Sequence, residues 1–499
     1  MRRRLRNAFA VAGSLALGVW LASASGLGGD SGFPPPSISY RVVAEPDSGF
    51  AVELRARGLH GRHPEFRLVD GWGLLQDQAS HVRGVRAEDE SGRAIGLEQA
   101  LVDGEARWRL ARRPRGEVVL RYRVDSFDPD LSPESSFTSR DRFLLLGYSL
   151  FLVPAGVPSF APAPLDVALI APKGWPLWAS WPGSGRRFRP PTLHDLWSGV
   201  AAGGAFRLSR VEAGPVSVSV LTEAPIPDLL GLTVANRLFP GLREMVALFG
   251  ASPRGDSLAV LAIYRVVSRR EPMSMLSGCS EEGAFLCLAT PDRFRDVTGL
   301  TTVATHECVH FYLGGAVAAS GEPPYRNSPE LVWLMEGVTE YLTYRLLEDA
   351  GSLPPGETER VARRKEREML ASAEPGLSLA EAARRMEDPR IYTLVYSRGF
   401  LVGRLLDRAM DARAPGAFSG ALRDLFEAHN FYATQETITP EEARAAFEAR
   451  CPGIGDLLDR FAIGTERLPR IADGPEGPNG VAMPTRVIQS RPERTSGAG

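Results

Sequence analysis

One run of histidine and glutamate in this chain has the spacing of a metal-binding motif. Residues 306–310 are His-Glu-Cys-Val-His, which has the form H-E-x-x-H. Because residues four apart lie on one face of a helix, the imidazoles of His306 and His310 can point at a single ion. Glu307 then lies beside the ion, where it can take a proton from a water molecule. This spacing predicts zinc-assisted hydrolysis of a peptide bond, and a chance match on a surface helix is the alternative.

A downstream acidic segment supplies a candidate for the remaining ligand. A catalytic zinc takes three protein ligands and leaves the fourth position for water. Residues 333–341 contain Glu336, which can reach the metal, and Glu340, which can accept the outer N–H of a ligand histidine. The Ser-Pro-Glu at residues 328–330 favours a helix start just before them. Two carboxylates four apart repel each other mildly, so a solvated acidic face is the alternative interpretation.

A tyrosine further along the chain is a candidate for stabilising a transition state. Residues 391–410 have helical apolar spacing and contain Tyr396, which is followed by Ser-Arg-Gly. A tyrosine at the mouth of a zinc site can donate its O–H to the oxyanion of a tetrahedral intermediate. Taken alone, Tyr396 fits a core aromatic better than a catalytic group. Its interpretation therefore depends on the two motifs that precede it.

The order of these motifs carries a family resemblance. H-E-x-x-H, then W-x-x-E-G-x-T, then Y-x-[KR]-G resembles the thermolysin-like gluzincins, and within them the glycyl-aminopeptidase family, a relative of the large M1-type zinc aminopeptidases. The resemblance implies zinc as cofactor, a peptide as substrate and aminopeptidase activity. It implies that His306, His310 and Glu336 hold the zinc. It also implies that Glu307 is the general base and that Tyr396 stabilises the transition state.

The resemblance covers roughly residues 37–469, with two departures from the family's pattern. Phe-Tyr follows the second histidine, where the family often has Trp-Asn. The family also carries a G-G-[LM]-E-[HN] loop whose glutamate holds the free amino terminus of the substrate. The nearest stretch here is Gly-Cys-Ser-Glu-Glu-Gly at residues 278–283. Glu281 or Glu282 is therefore the candidate for binding a substrate ammonium, and the register leaves both open.

The first half of the chain is rich in predicted strands. Apolar and charged residues alternate at residues 50–56, and apolar residues recur at every second position at 120–124 and 216–220, with turn-rich breaks between the segments. These patterns predict an antiparallel, β-sandwich-like N-terminal domain over residues 37–221.

Helical patterns dominate after residue 225, interrupted by two predicted strands at residues 258–267 and 284–289. The second strand leads towards the H-E-x-x-H helix, so it is expected to be the edge strand that can pair with an extended peptide. Together with the resemblance, this predicts an α+β multidomain protein. After the β domain we expect a thermolysin-like α/β lobe at residues 225–320 that carries the H-E-x-x-H helix, and an all-α lobe at residues 321–469 that carries the third zinc ligand.

The two ends of the chain have the composition of a targeting segment and a tail. Arginines at positions 2, 3, 4 and 6 precede an apolar run at residues 8–21 and Ala-Ser-Ala at residues 22–24. This pattern predicts a signal peptide at residues 1–24 and export to the periplasm or the extracellular space. The alternative is an uncleaved membrane anchor, although the run is short for a span. Residues 470–499 are rich in Gly, Pro, Arg and Ser, too few for the family's usual C-terminal PDZ domain, and are expected to form a disordered tail.

Charge and cysteine content narrow the classes of partner and of covalent structure. The formal net charge is −2, so it gives no reason to expect nucleic acid as a partner. Cys279 and Cys287 are close enough in sequence to form a disulfide in an exported protein, and reduced, buried thiols are equally consistent with the spacing. Cys308 lies within the H-E-x-x-H run and is expected to be a packed residue, not a ligand.

Three functions remain open from the sequence. An exported zinc aminopeptidase is the first, and a zinc endopeptidase of the same fold is the second. The third is a non-catalytic exported binding protein on a gluzincin scaffold, which the changed amine-binding loop would allow. The presence of Glu307 beside the predicted metal favours the enzymes, because a binding scaffold has no physical need for a base there.

Overall fold

The computed structural model describes residues 36–69, 77–102, 104–128, 135–157, 162–253, 257–267, 276–281, 283–317, 329–372, 374–386, 388–429 and 438–471. Residues 276–281 are described in their backbone. The predicted signal peptide, the predicted tail beyond residue 471 and Glu282 lie outside the described residues.

The N-terminal part of the protein is built almost entirely of β-strands. The strands, numbered along the chain, are β1 Ser37–Glu45, β2 Gly49–Arg57, β3 Glu65–Val69, β4 Val82–Asp89, β5 Ala94–Ile95, β6 Leu97–Val102, β7 Glu105–Leu110, β8 Glu117–Asp125, β9 Phe137–Thr138, β10 Arg142–Leu146, β11 Val153–Pro154, β12 Leu165–Ile170, β13 Leu177–Ala179, β14 Gly183–Ser184, β15 Arg187–Phe188 and β16 Val200–Gly204. A short helix, α1 (Leu193–Trp197), lies between the last two strands.

These strands form three sheets around one apolar core. The largest has the order β14-β15-β12-β1-β2-β8-β4-β5, and the two four-stranded sheets have the orders β13-β16-β10-β9 and β11-β3-β7-β6. Pairing is antiparallel except between β1 and β12, which run parallel. In β2, alternate side chains such as Val52, Leu54 and Ala56 are buried, while the residues between them face outwards. The predicted sheet domain is therefore present, and the alternation of residues 50–56 has the expected cause.

A five-stranded sheet follows, and it corrects the predicted domain boundary. Its strands are β17 Phe206–Ala213, β18 Val216–Glu223, β19 Leu258–Val266, β20 Leu276–Glu281 and β21 Ala284–Ala289, in the order β17-β18-β19-β21-β20. The boundary expected at residue 221 falls inside β18. Because β18 pairs in parallel with β19, the alternating valines of residues 216–220 belong to this five-stranded sheet and not to the N-terminal domain.

The edge of this sheet also differs from the expectation. The strand at residues 284–289 was expected to form the edge, but β21 has β19 on one side and β20 on the other. The edge strand is β20, which covers residues expected to form a loop. Glu281 is its last residue and pairs with Ala284. The strand that can accept an extended peptide at this edge is therefore β20.

The remaining elements are mostly helices. They are α2 Asp228–Phe249, α3 Val297–Val317, α4 Thr339–Asp349, α5 Glu357–Ala371, α6 Leu379–Ala383, α7 Pro389–Arg413, α8 Ala417–Ala428, α9 Pro440–Arg450 and α10 Gly455–Leu457, with π-helical turns at Trp333–Val338 and Leu458–Ile463. Capping side chains determine where several of these helices begin. Asp388 caps α7 with Pro389 at its first position, and Thr439 and Glu442 form a capping box on α9.

The five-stranded sheet and the helices share one continuous apolar core, which extends from Val216 to Leu468. The α/β and all-α lobes are therefore packed against each other without a polar boundary. The fold class predicted from the sequence is confirmed: a sheet domain comes first, followed by an α/β region and a helical region. Among the helices in the described residues, none is both long and apolar enough to cross a bilayer.

A buried carboxylate links the N-terminal domain to the five-stranded sheet. Glu223, at the end of β18, accepts hydrogen bonds from Arg142 Nε at 3.1 Å and from the N–H of Val266 at 2.5 Å. Arg142 belongs to β10 of the N-terminal domain, and Val266 ends β19. Since Glu223 is 2% exposed, this contact is shielded from water and fixes how the two sheets meet.

Candidate active site

The H-E-x-x-H motif lies in the middle of α3, where residues 304–313 are all buried. The carboxylate of Asp296 accepts a hydrogen bond from the N–H of Gly299 at 2.8 Å, as expected at a helix start. From there α3 packs against β20 and β21 of the five-stranded sheet and against helices α2 and α4. The rings of His306 and His310 lie on the same face, with centroids 4.7 Å apart. Glu307 is 1% exposed, so the acid of the motif is also removed from bulk water.

The π-helical turn Trp333–Val338 brings Glu336 to the two imidazoles. Glu336 Oε2 lies 3.5 Å from His306 Nε2 and 3.8 Å from His310 Nε2. These separations are long for N–H···O hydrogen bonds. Two ligand atoms that are each bound at about 2.0–2.1 Å to one tetrahedral zinc ion lie roughly 3.3–3.4 Å apart. The spacing of the three side chains therefore suits a shared ion better than direct hydrogen bonds.

The polar atoms of this cluster also fit a cation. Within the described residues, neither oxygen of Glu336 and neither ring nitrogen of His310 has a hydrogen-bond partner, and all four atoms are buried. Buried polar atoms without partners are rare, because each costs free energy of desolvation. Two imidazole nitrogens and one carboxylate oxygen are a common donor set for zinc. The described residues His306, His310 and Glu336 thus form a group that could hold a metal ion.

Electrostatic interactions in the cluster point the same way. Burial disfavours a charged His306, but the carboxylates of Glu336 and Glu340 outweigh it and raise the pKa of His306 to about 10. Burial lowers the pKa of His310 to about 3, so this imidazole stays neutral. Burial also opposes ionisation of Glu336, but the neighbouring imidazoles hold the pKa of that carboxyl below its usual range. The site therefore concentrates negative charge that a bound cation would neutralise.

Glu340 lies behind His306, as predicted for a carboxylate that orients a ligand. Its Oε2 is 3.0 Å from His306 Nδ1. With Nδ1–H donating to Glu340, Nε2 faces Glu336 and His310, and a metal bound there would replace the proton on Nε2. The other oxygen of Glu340 is 3.0 Å from Nζ of Lys365, on α5. Sequence reasoning missed Lys365, because nothing in its local pattern relates it to a motif 25 residues earlier.

Tyr396 lies on α7, across from the histidines. Its ring centroid is 6.1 Å from that of His306 and 4.9 Å from that of Tyr392. Burial, together with the negative charge of Glu336, raises the pKa of Tyr396 well above its usual range. The phenol therefore keeps its proton and remains a hydrogen-bond donor. The structure thus brings Tyr396 into the same cluster as the predicted ligands.

Two glycines allow the segments that carry Glu336 and Tyr396 to pack closely together. A Cβ on Gly337 would lie 2.5 Å from Cα of Gly399, and a Cβ on Gly399 would lie 2.6 Å from Cα of Gly337. The π-helical turn and α7 therefore touch backbone to backbone at this point. Each glycine follows or closely follows a predicted site residue, in E-G and in Y-x-R-G. This pairing gives a physical reason for a glycine in each motif, which sequence reasoning did not find.

We expect Gly399→Ala to destabilise the protein although alanine favours helices. Alanine in a helix interior normally stabilises by up to about 1 kcal/mol relative to glycine. Here the added methyl group would push α7 from the π-helical turn, at an expected cost of about 1–3 kcal/mol. Chemical denaturation would measure this cost. Gly376→Ala is the control, since a Cβ there meets open space. A Gly399→Ala protein at least as stable as the unaltered one would contradict the backbone contact.

The arginine of Y-x-R-G is not one of the candidate metal ligands and instead binds backbone carbonyls. Arg398 is 1% exposed, and its Nη2 donates hydrogen bonds to the carbonyl oxygens of Phe461, Gly464 and Glu466 at 3.2, 3.1 and 2.9 Å. The first carbonyl belongs to the π-helical turn Leu458–Ile463, and the other two belong to the segment that follows it. Arg398 therefore holds the C-terminal segment against the helix that carries Tyr396.

The predicted amine-binding glutamates are only partly located. Glu281 ends β20, and Glu282 lies outside the described residues. Their role in binding a substrate ammonium stays a prediction. The disulfide alternative is not realised in this structure, because Cys287 is a buried free thiol, and the register pairs Cys279 with Leu286. Cys308 is fully buried, as expected for a packing residue.

Comparison with known proteins identifies related domains and folds. Residues 50–197 match the Peptidase M61 N-terminal domain. No curated protein matches the sequence. An aminopeptidase N family protein from Idiomarina loihiensis has the same fold with a TM-score of 0.73 at 18% identity, over 87% of this chain and 77% of that chain.

Two further solved structures share the fold at lower similarity. One is an M1 zinc metallopeptidase from Deinococcus radiodurans, a mutant bound to the substrate Tyr-Ser-Ala, with a TM-score of 0.55 at 15% identity over 88% of this chain and 95% of that chain. The other is leukotriene A4 hydrolase from Saccharomyces cerevisiae, with a TM-score of 0.53 at 15% identity over 88% of this chain and 69% of that chain. Residues 50–197 are thus similar to the Peptidase M61 N-terminal domain, and the described residues share their fold with these solved proteins, in agreement with the fold that the motif order implies.

Proposed function

We propose that this protein is a zinc metallopeptidase that hydrolyses peptide bonds. The observation that carries the proposal is the buried cluster of His306, His310 and Glu336, with Glu307 on the same helix and Tyr396 across from it. The cluster combines a donor set for zinc with a carboxylate and a protonated phenol. Those are the groups that hydrolysis of an amide needs.

The chain's own side chains account for the proton transfers of such a reaction. When bound to His306, His310 and Glu336, zinc supplies Lewis acidity towards a carbonyl oxygen and towards water. Glu307 takes a proton from the attacking water and later gives it to the leaving amine. Tyr396 donates its O–H to the carbonyl oxygen as negative charge develops on it.

Burial of the site strengthens each of these interactions. Because His306, Glu307, His310 and Glu336 are all less than a tenth exposed, few waters compete for their hydrogen bonds. Glu340 holds His306 in one orientation, so little reorganisation is needed during the reaction.

We further propose that the enzyme is an aminopeptidase. The edge strand β20 lies against α3, so a peptide paired with it would run beside the metal cluster. Glu281 ends that strand and Glu282 follows it, where an acidic side chain can bind the ammonium of the first residue. The mutant Deinococcus enzyme with this fold is described with a bound tripeptide, which supports a peptide as the substrate class.

We expect zinc-loaded protein to cleave peptides with a free amino terminus faster than acetylated copies. A charge-assisted contact of this kind contributes roughly 1.5–3 kcal/mol, or about ten- to a hundredfold in rate. Mass spectrometry of matched peptide pairs would measure the preference and show whether the first residue is released. Glu281→Ala or Glu282→Ala should abolish the preference without abolishing hydrolysis.

The other outcomes of this experiment separate the alternatives. Equal cleavage of free and acetylated peptides would leave a zinc endopeptidase of the same fold. No cleavage of any peptide by protein that retains zinc would instead favour a binding protein on this scaffold and would refute the proposal.

We also propose that the protein is exported. The basic residues at positions 2–6, the apolar run at residues 8–21 and the small residues at 22–24 support a cleaved signal peptide. Amino-terminal sequencing of the protein from its native host should find a start near residue 25. Recovery of the intact amino terminus in the membrane fraction would support the anchored alternative.

A further inference from the structure

A buried lysine contacts Glu340, the carboxylate that is hydrogen-bonded to the candidate ligand His306. Nζ of Lys365 is 3.0 Å from Oε1 of Glu340, whose Oε2 is 3.0 Å from His306 Nδ1. The side chain of Lys365 is 12% exposed and that of Glu340 is 15% exposed. The contact is therefore a largely buried ion pair, in which each charge depends on the other.

The choice of lysine at this position is unusual for this chain. The sequence contains 58 lysines and arginines together, and Lys173 and Lys365 are its two lysines. A compositional preference for arginine thus applies almost everywhere except here. The ammonium of lysine is compact and donates in any direction, whereas the guanidinium of arginine is a wide planar fork. A compact ammonium suits a largely buried position in which Lys365 contacts the carboxylate of Glu340.

The lysine also connects the metal cluster to the helix that carries Tyr396. Its Nζ lies 3.9 Å from Oε2 of Glu368, and that same oxygen accepts a hydrogen bond from Ser397 Oγ at 3.1 Å. Ser397 directly follows Tyr396 on α7. A line of polar contacts therefore runs from His306 through Glu340, Lys365 and Glu368 to the residue beside Tyr396.

We propose that Lys365 is a positioning residue of the metal site. Its ammonium holds the carboxylate of Glu340 in the place where Glu340 accepts the Nδ1–H of His306. This fixes the tautomer and the orientation of His306, so that Nε2 faces the ion. The inference rests on the proposed function only in taking His306 as a ligand of the catalytic zinc.

The affinity of the protein for zinc tests this role without any measurement of hydrolysis. Lys365→Met keeps the length of the side chain and removes its charge. We expect the zinc dissociation constant, measured by competition with a chelating dye, to rise by about tenfold or more, as for other residues that support a metal ligand. Arg364→Met is the matched control: it removes a cation from the same helix that lies 3.6 Å from Glu368. It should change the zinc affinity by less than about twofold. A folded Lys365→Met protein that binds zinc as tightly as the unaltered one would overturn the proposal.

A double variant keeps the test valid if Lys365→Met does not fold. Glu340→Gln together with Lys365→Met removes both buried charges at once, which avoids leaving one of them alone. If Lys365 acts through Glu340, the double variant should bind zinc no more weakly than Glu340→Gln alone. A further tenfold loss in the double variant would show an independent effect of Lys365 and would refute the positioning role.

The outcomes for Lys365 and for the proposed function are separable. Unaltered protein that binds zinc but hydrolyses no peptide would remove the proposed function, and the zinc affinities would still decide the role of Lys365. Active unaltered protein with equal zinc affinity in the Lys365→Met protein would keep the function and remove the positioning role.

Discussion

Glu307→Gln is expected to retain its zinc and to lose peptide hydrolysis by about a hundredfold or more. Glutamine has the shape of glutamate, so the packing of α3 around this buried position should persist. It cannot accept a proton from water at neutral pH, and it cannot return one to the leaving amine. Steady-state turnover and metal analysis on the same preparation would measure both effects.

A variant at the next position controls for damage to the helix. Cys308→Ala changes another fully buried side chain of α3, one that takes no part in the proposed chemistry. Its hydrolysis rate should stay close to that of the unaltered protein. Hydrolysis at the normal rate by Glu307→Gln would mean that another group activates the water.

The candidate metal-binding residues could be predicted from the sequence because most of their pattern is local. His306 and His310 are one helical turn apart, and that spacing alone places them on one face. Glu336 and Tyr396 could be assigned only through the motif order of the family that the sequence resembles, because neither is near the histidines in sequence. Spacing gives no information about the π-helical turn that carries Glu336, which packs against α7 in the folded protein.

The support for the cluster was not predictable, because it is tertiary. Lys365 reaches Glu340 only because α5 packs beside α4, and no residue pattern on α5 specifies this contact. The close approach of Gly337 and Gly399 similarly requires two helical segments to meet at one level. A glycine within a helical pattern is a warning of such a contact, since it costs helix stability and needs a compensating reason.

The wrong predictions about the domain boundary and the edge strand also have physical causes. Alternation at residues 216–220 correctly indicates a strand, but it does not tell which sheet the strand joins. The order of β18, α2 and β19 does contain that information, because strand–helix–strand units place their strands in parallel. The sequence of β20 includes glycine, serine and glutamate and lacks strand alternation, so this edge is defined by its pairing with β21 and not by its own residues.

His310→Ala is expected to abolish stable zinc binding. His310 is 2% exposed and its pKa is lowered to about 3, so it is held as a neutral imidazole that needs no deprotonation before it binds a metal. Its removal leaves two protein ligands, fewer than a catalytic zinc requires. Metal analysis after dialysis should find about one zinc per chain in the unaltered protein and far less in the variant.

Thermal unfolding gives a second, independent measure of the same loss. Zinc that binds only the folded state stabilises it by about 4 kcal/mol when its concentration is a thousand times the dissociation constant. Added zinc should therefore raise the melting temperature of the unaltered protein and leave that of His310→Ala nearly unchanged. His429→Ala, at the end of α8, removes a histidine from the same helical region and should keep the full zinc response. If His310→Ala retained both its zinc content and its zinc-dependent stabilisation, the assignment of His310 as a ligand would have to be abandoned.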